Sequence, residues 1–138
     1  MKKQISITFF FLVLACSLFA QQSDYKVVFD LSSRDSISQQ ALIREIGIIK
    51  GSSPNAQIEV VVYGMGLSLV LKDKSNFAEQ ITKFSTDPSI QFKVCAITMK
   101  RNNVDESKLV PGVMAVPDGI YELISKQRDG WGYIKVAH

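Results

Sequence analysis

The chain of 138 residues is 46% hydrophobic and 21% charged. Its four Pro and eight Gly are too few for a low-complexity or collagen-like chain, and the length fits one ordinary domain, at roughly 100–200 residues per domain. Sixteen Lys and Arg against thirteen Asp and Glu give +3, and without Lys2 and Lys3 the chain is close to neutral. That is not the balance of an electrostatically driven nucleic-acid binder, which shows a basic face or stripe. The single histidine, His138, argues against a Ser-His-Asp triad and against a zinc site built on several imidazoles.

Residues 1–20 read as an export signal. Lys2 and Lys3 supply the positive start, and the greasy core ISITFFFLVLA, residues 5–15, is too short for a membrane-spanning helix, which needs about twenty residues. Ala20 suits the position before a cleavage point, leaving a domain over residues 21–138. The alternative is cleavage before Cys16 and a lipid anchor there. No later stretch is long enough to span a bilayer. Loss of Cys16 with the leader leaves Cys95 as the one thiol of an exported, periplasmic or secreted chain, where a free thiol is unusual.

The first element after the leader is a strand, YKVVFDL from Tyr25. Ser36 with Gln39 reads as a capping box for a helix carrying Ile37, Ala41, Leu42, Ile46 and Ile49. Gly51 suits the position past its end, and Pro54 bars continuation. A second strand, QIEVVVY over residues 57–63, is broken by Gly64 and Gly66, and residues 67–71 read as a short buried helical turn. Ser75 caps a helix with Phe77, Ile81 and Phe84 at helical spacing. A third strand spans residues 90–96. A polar stretch, residues 100–108, follows with one helical turn after Asp105. Val113–Val116 is a fourth strand, Asp118 starts a helix with Ile120, Leu123 and Ile124 that Gly130 closes, and Gly132–Val136 is a fifth strand. Strands alternating with helices predict a three-layer α/β/α sandwich around a mostly parallel sheet of about five strands.

In such sheets ligands bind beyond the carboxyl ends of the strands. Three features fall there: Gly64-Met65-Gly66, Cys95 through Thr98, and Pro117-Asp118-Gly119. Cys95 is the one side chain of the mature chain with evident nucleophilic potential, in its thiolate form. Buried in mid-strand it is inert, because burial raises a thiol's pKa by up to about 3–5 units. At the strand tip, touching backbone N–H groups, it is reactive, and Lys100 and Arg101 are near enough in sequence to assist. Gly64 and Gly66 let backbone approach closely, but the third glycine of a dinucleotide fingerprint is replaced by Leu69, and a packing turn reads as well. Asp118 reads most simply as an N-cap, and Trp131 as core or interface rather than a binding platform. No carboxylate pair suggests glycoside hydrolysis, and no set of Cys and His suggests zinc.

The ordered segments YKVVFDL, IEVVVYGMGLSLVL, FKVCAITMKRNNV and LVPGVMAVPDGIYELISKQRDGWGYIKV resemble the DsrE/DsrF-like family over essentially residues 25–136. The resemblance implies an α/β/α fold and homo-oligomers, trimers or hexamers. It implies sulfur carried as a cysteine persulfide in relay or oxidation, with a donor or acceptor protein and with neither metal nor organic cofactor. Cys95 and Thr98 match a Cys-x-x-Thr arrangement of that family, while Ile97 stands where relatives commonly have Asn. Two readings follow. In one, Cys95 accepts sulfane sulfur and passes it on, with Thr98 and backbone N–H groups steadying the terminal sulfur. In the other, the chain is a non-enzymatic oligomeric module holding a small ligand among Gly64, Met65, Gly66, Thr98, Asp118 and Gly119, with Cys95 only packed.

Overall fold

A computed structural model describes residues 25–136; the leader with Cys16, and His138, lie outside the described residues. The elements are β1 (Lys26–Leu31), α1 (Ser36–Ser52), β2 (Gln57–Val62), a 3-10 helix (Gly64–Val70), α2 (Ala78–Phe84), β3 (Ile90–Cys95), α3 (Ala96–Arg101), a second 3-10 turn (Glu106–Lys108), β4 (Val113–Val116), α4 (Gly119–Arg128) and β5 (Gly132–Val136). The sheet is ordered β4-β3-β2-β1-β5, and every adjacent pair is parallel. The expected α/β fold with five strands is therefore the observed one.

Topology decides which face each helix covers. From β1 to β4 the chain steps steadily in one direction, so right-handed crossovers put α1, α2 and their neighbours on one face. The return from β4 past β1 to β5 reverses that direction and sends α4 to the other face. The first face carries the main core: Val27, Phe29, Leu31, Ile58, Val60, Val62, Phe92 and Val94 against Leu42, Ile46, Ile49, Leu69 and Ile81. On the second face α4 inserts Leu123 between Val28 and Val61, with Tyr63 and Trp131 beside them. The two outer layers are thus unequal.

Several local readings shift. Asp35, not Ser36, caps α1, accepting from the Ser38 amide at 2.7 Å. The helix runs through Gly51 to Ser52, closed by the Ser53 amide on the Ile49 carbonyl, and Lys50 Nζ reaches over its end to Ser89 Oγ at 2.7 Å and to the carbonyl of Pro54. The turn read at residues 67–71 begins earlier, at Gly64. A Cβ on Gly66 would stand 2.6 Å from the Leu31 carbonyl oxygen, so only glycine lets this helix lie against β1. Ser75 accepts from the Phe77 amide at 3.1 Å, and α2 opens at Ala78. The third strand stops at Cys95, and Ala96, read as its last residue, instead opens α3. On α4 only Leu123 of the three apolar residues is buried, with Ile120 and Ile124 facing outward.

Candidate functional site

Cys95 is the last residue of β3 and the residue from which α3 springs. Its neighbour on the sheet edge is Val116, and two residues beyond, Asp118 turns the chain into α4. The Asp118 carboxylate accepts from the Ile120 amide at 2.9 Å and the Tyr121 amide at 3.5 Å, which fixes the first turn of α4. The starts of α3 and α4 then meet at one sulfur atom. First-turn amides of a helix have no partner within it, and those of Gly119, Thr98 and Ile97 act on the Cys95 thiol.

Burial pushes the Cys95 thiol up, since only 5% of the residue is exposed. Donors outweigh it: the Gly119 N–H, then the Thr98 N–H, the Thr98 hydroxyl and the Ile97 N–H, leaving the pKa below the ordinary thiol value. Hydrogen bonds to the ionised form act in that direction. Thr98, itself buried, is held in turn by the Gly64 amide, which donates to its Oγ1 at 3.0 Å. The Gly64 amide thus fixes the hydroxyl that helps to lower the Cys95 pKa.

Cys95, Thr98, Gly64 and Gly119 of the sequence-derived set come together. Asp118 acts one step removed, as the cap that aims the amides of α4. Gly66 belongs to packing against Leu31. Met65 is 62% exposed on the rim, next to Gly64. Lys100 and Arg101 occupy the last turn of α3, the end away from the sulfur, and the groups that lower Cys95 most are uncharged. Sequence reasoning missed the Ile97 amide, for which no side-chain signal exists.

It also missed two buried acids on the face α4 covers. Asp30, 4% exposed, accepts from Tyr133 Oη at 2.5 Å and Lys135 Nζ at 2.7 Å. Lys135 also donates to Ser32 Oγ at 2.9 Å and Tyr63 Oη at 3.2 Å. Glu59, 1% exposed, has Lys126 Nζ 2.8 Å from Oε2, and that ammonium lies 4.5 Å from the centre of the Trp131 ring. A charge inside the apolar runs VVFDL and IEVVV was the available signal. A cavity of about 430 Å³ lined by Gln57, Ser89, Gln91, Lys126 and Trp131 opens at the amino end of the strands, away from Cys95. Among the described residues no helix is long and apolar enough to cross a membrane.

Solved structures share this architecture. A protein of unknown function, MTH1491 from Methanobacterium thermoautotrophicum, is 28% identical and superposes with a TM-score of 0.76 over 81% of this chain and 99% of its own. The ychN protein of E. coli, 13% identical, gives 0.67 over 81% and 98%. The conserved protein of unknown function BT1422 from Bacteroides thetaiotaomicron, 17% identical, gives 0.67 over 84% and 98%. No curated protein matches the chain. The family model described as DsrE/DsrF-like matches residues 9–136, and with the fold in agreement the chain is a member of the DsrE/DsrF-like family, which is generally linked to sulfur relay.

Proposed function

We propose that this protein carries sulfane sulfur on Cys95. The thiolate attacks the outer sulfur of a persulfide or polysulfide, that sulfur's bond to its neighbour breaks, and the neighbour leaves with the electron pair. Cys95 is left as a persulfide. An acceptor thiolate then attacks the outer sulfur and regenerates Cys95. Sulfur moves without net oxidation or reduction, and the step requires neither metal nor organic cofactor. The observation that carries the reading is the place of Cys95, where β3 ends and α3 begins, with the first residue of α4, Gly119, packed against it, a setting in which the Gly119, Thr98 and Ile97 donors lower the thiol pKa. Thiolate is the nucleophile in such exchange, and the same donors suit the negative charge of a persulfide.

The test is intact mass after incubation with inorganic polysulfide. Wild type is expected to gain sulfur and Cys95→Ser to gain none. Equal gain, or none in wild type, overturns the reading.

The low exposure of Cys95 favours one rival, a ligand-holding module in which the thiol is only packed. Iodoacetamide separates the two. Fast alkylation of folded protein supports sulfur carriage, and alkylation only after unfolding supports the module. We also propose that the protein is exported and homo-oligomeric. Ile120, Tyr121 and Ile124 leave an apolar, 47–61% exposed stripe on α4, suited to a second copy. Cell fractionation and sedimentation equilibrium test these two points.

A further inference from the structure

We infer that the sulfur donor is a small organic persulfide bearing a carboxylate, seated on the strip of sheet that Lys93, Met114 and Val116 form beside Cys95. The inference rests on Cys95 as the sulfur acceptor. Alternation along β3 puts Lys93 and Cys95 on the same face, with Cα atoms roughly 6.6 Å apart at about 3.3 Å per residue. Across the strand pair Lys93 stands beside Met114, and Cys95 beside Val116. α4 seats Leu123 against Val28 and Val61 of β1 and β2 and its first residue, Gly119, against Cys95, while on the edge strand Met114 stays 45% exposed.

Lys93 differs from two other cations of this face. Lys126 has Glu59 at 2.8 Å and Lys135 has Asp30 at 2.7 Å. Lys93 Nζ has the Met114 sulfur at 3.8 Å and, among the described residues, no ion pair. An unneutralised ammonium therefore stands within one side chain's reach of the nucleophile, over an apolar floor. A donor with its reactive sulfur at Cys95, its short organic part on Met114 and Val116 and its carboxylate at Lys93 satisfies all three. Thiosulfate would instead bring two negative charges to a sulfur whose closest donors are uncharged.

The Cys95 thiolate attacks the outer sulfur of R–S–S–H, and the S–S bond breaks. The inner sulfur leaves as R–S⁻ and takes a proton from water, and the outer sulfur keeps its hydrogen in Cys95–S–S–H. No oxidant or reductant is consumed.

The experiment compares N-acetylcysteine persulfide with the persulfide of N-acetylcysteine amide, with sulfur gain on Cys95 followed by intact mass at low salt. The acid is expected to react about two- to fivefold faster, the scale of an exposed ion pair, with the advantage shrinking as salt rises. The acid-to-amide ratio should fall to about one in Lys93→Gln and below one in Lys93→Glu. A ratio of one in wild type, or a ratio that Lys93→Gln leaves unchanged, overturns the inference while sulfur carriage stands. Failure of both donors and of inorganic polysulfide to load Cys95 overturns both.

Discussion

Gly119 is packed so tightly against Cys95 that a Cβ built on it would lie 3.1 Å from the Cys95 Cβ and 3.3 Å from Val61 Cγ1. The closeness matters because the Gly119 amide is the first of the donors that lower the thiol pKa. A side chain here has to push the start of α4 outward by a few tenths of an ångström, and hydrogen bonds weaken with that lengthening.

Gly119→Ala is therefore expected to raise the apparent pKa of Cys95 toward the ordinary thiol value of about 8.5. At pH 7 the iodoacetamide rate should fall by about three- to tenfold, since one pKa unit corresponds to a tenfold change in thiolate. The check is the pH profile of alkylation in folded wild type and variant. An unchanged profile would show that the Gly119 amide does not govern the thiolate.

Thr98→Val removes the hydroxyl that stands between Gly64 and Cys95. The Gly64 amide then loses its acceptor, and the sulfur loses one donor. Gly64 is itself exposed, so water takes up its freed amide and the loss is that of one ordinary hydrogen bond, about 0.5–1.5 kcal/mol, which urea unfolding reads directly. The alkylation pKa should rise in parallel, whereas Thr98→Ser, which keeps the hydroxyl, should move both quantities less. A loss of stability with an unmoved alkylation pKa would assign Thr98 to packing alone.

Strands were legible wherever β-branched residues ran together, as in VVF, EVVV and VMAV, because half-buried or buried strands need that composition. The convergence of Cys95, Gly64 and Gly119 was legible through the carboxyl-end rule. α3 was not. Ile97 and Thr98 are β-branched, extend the run IQFKVCA, and have modest helix propensity. What makes them helical is tertiary: Thr98 is buried with its Oγ1 held by the Gly64 amide, and the Asn102 side chain closes the far end on the Thr98 carbonyl at 2.8 Å. The capping-box pattern of Ser36 with Gln39 masks Asp35, the residue that caps the helix. Gln39 instead turns away to Ser68 Oγ at 3.2 Å and the Ser33 carbonyl at 3.3 Å. Backbone amides carry no residue type, so the donors around the sulfur are visible only once both helix starts are in place.

Asp30 ties the edge strand β5 to β1 through side chains as well as backbone. Asp30→Asn keeps the shape but removes the charge that Tyr133 and Lys135 share. Hydrogen bonds to charged groups contribute about 1.5–3 kcal/mol each. Lys135, 39% exposed at its side chain, recovers much of its share from water. The expected loss is about 2 kcal/mol, discounted for that screening, seen as a lower urea midpoint. Amide exchange should quicken first in Gly132–Val136, because an edge strand opens with less loss than a central one. Uniform quickening across the sheet would contradict the assignment.

Glu59 gives the stability a pH dependence of opposite sign to that expected of a salt-bridged acid. Burial raises its pKa, and Lys126 offsets that only in part while Glu122 adds to it. Below the ordinary carboxyl value of about 4.3, folded and unfolded chains both hold the proton. As pH climbs from there, the unfolded chain releases it first, so the contribution of Glu59 is full below the unfolded pKa and is lost as pH rises through the folded one. Glu59→Gln cannot titrate. The difference in unfolding free energy, wild type minus Glu59→Gln, should therefore decline as pH rises from 4 and level off once the folded pKa is passed. Cys95 and Asp87, whose pKa values are lowered, contribute equally to both proteins and cancel in the difference. Urea unfolding at closely spaced pH values makes the comparison. Parallel curves would mean that Glu59 keeps its charge in the fold as easily as in water, with the Lys126 ammonium compensating its burial in full.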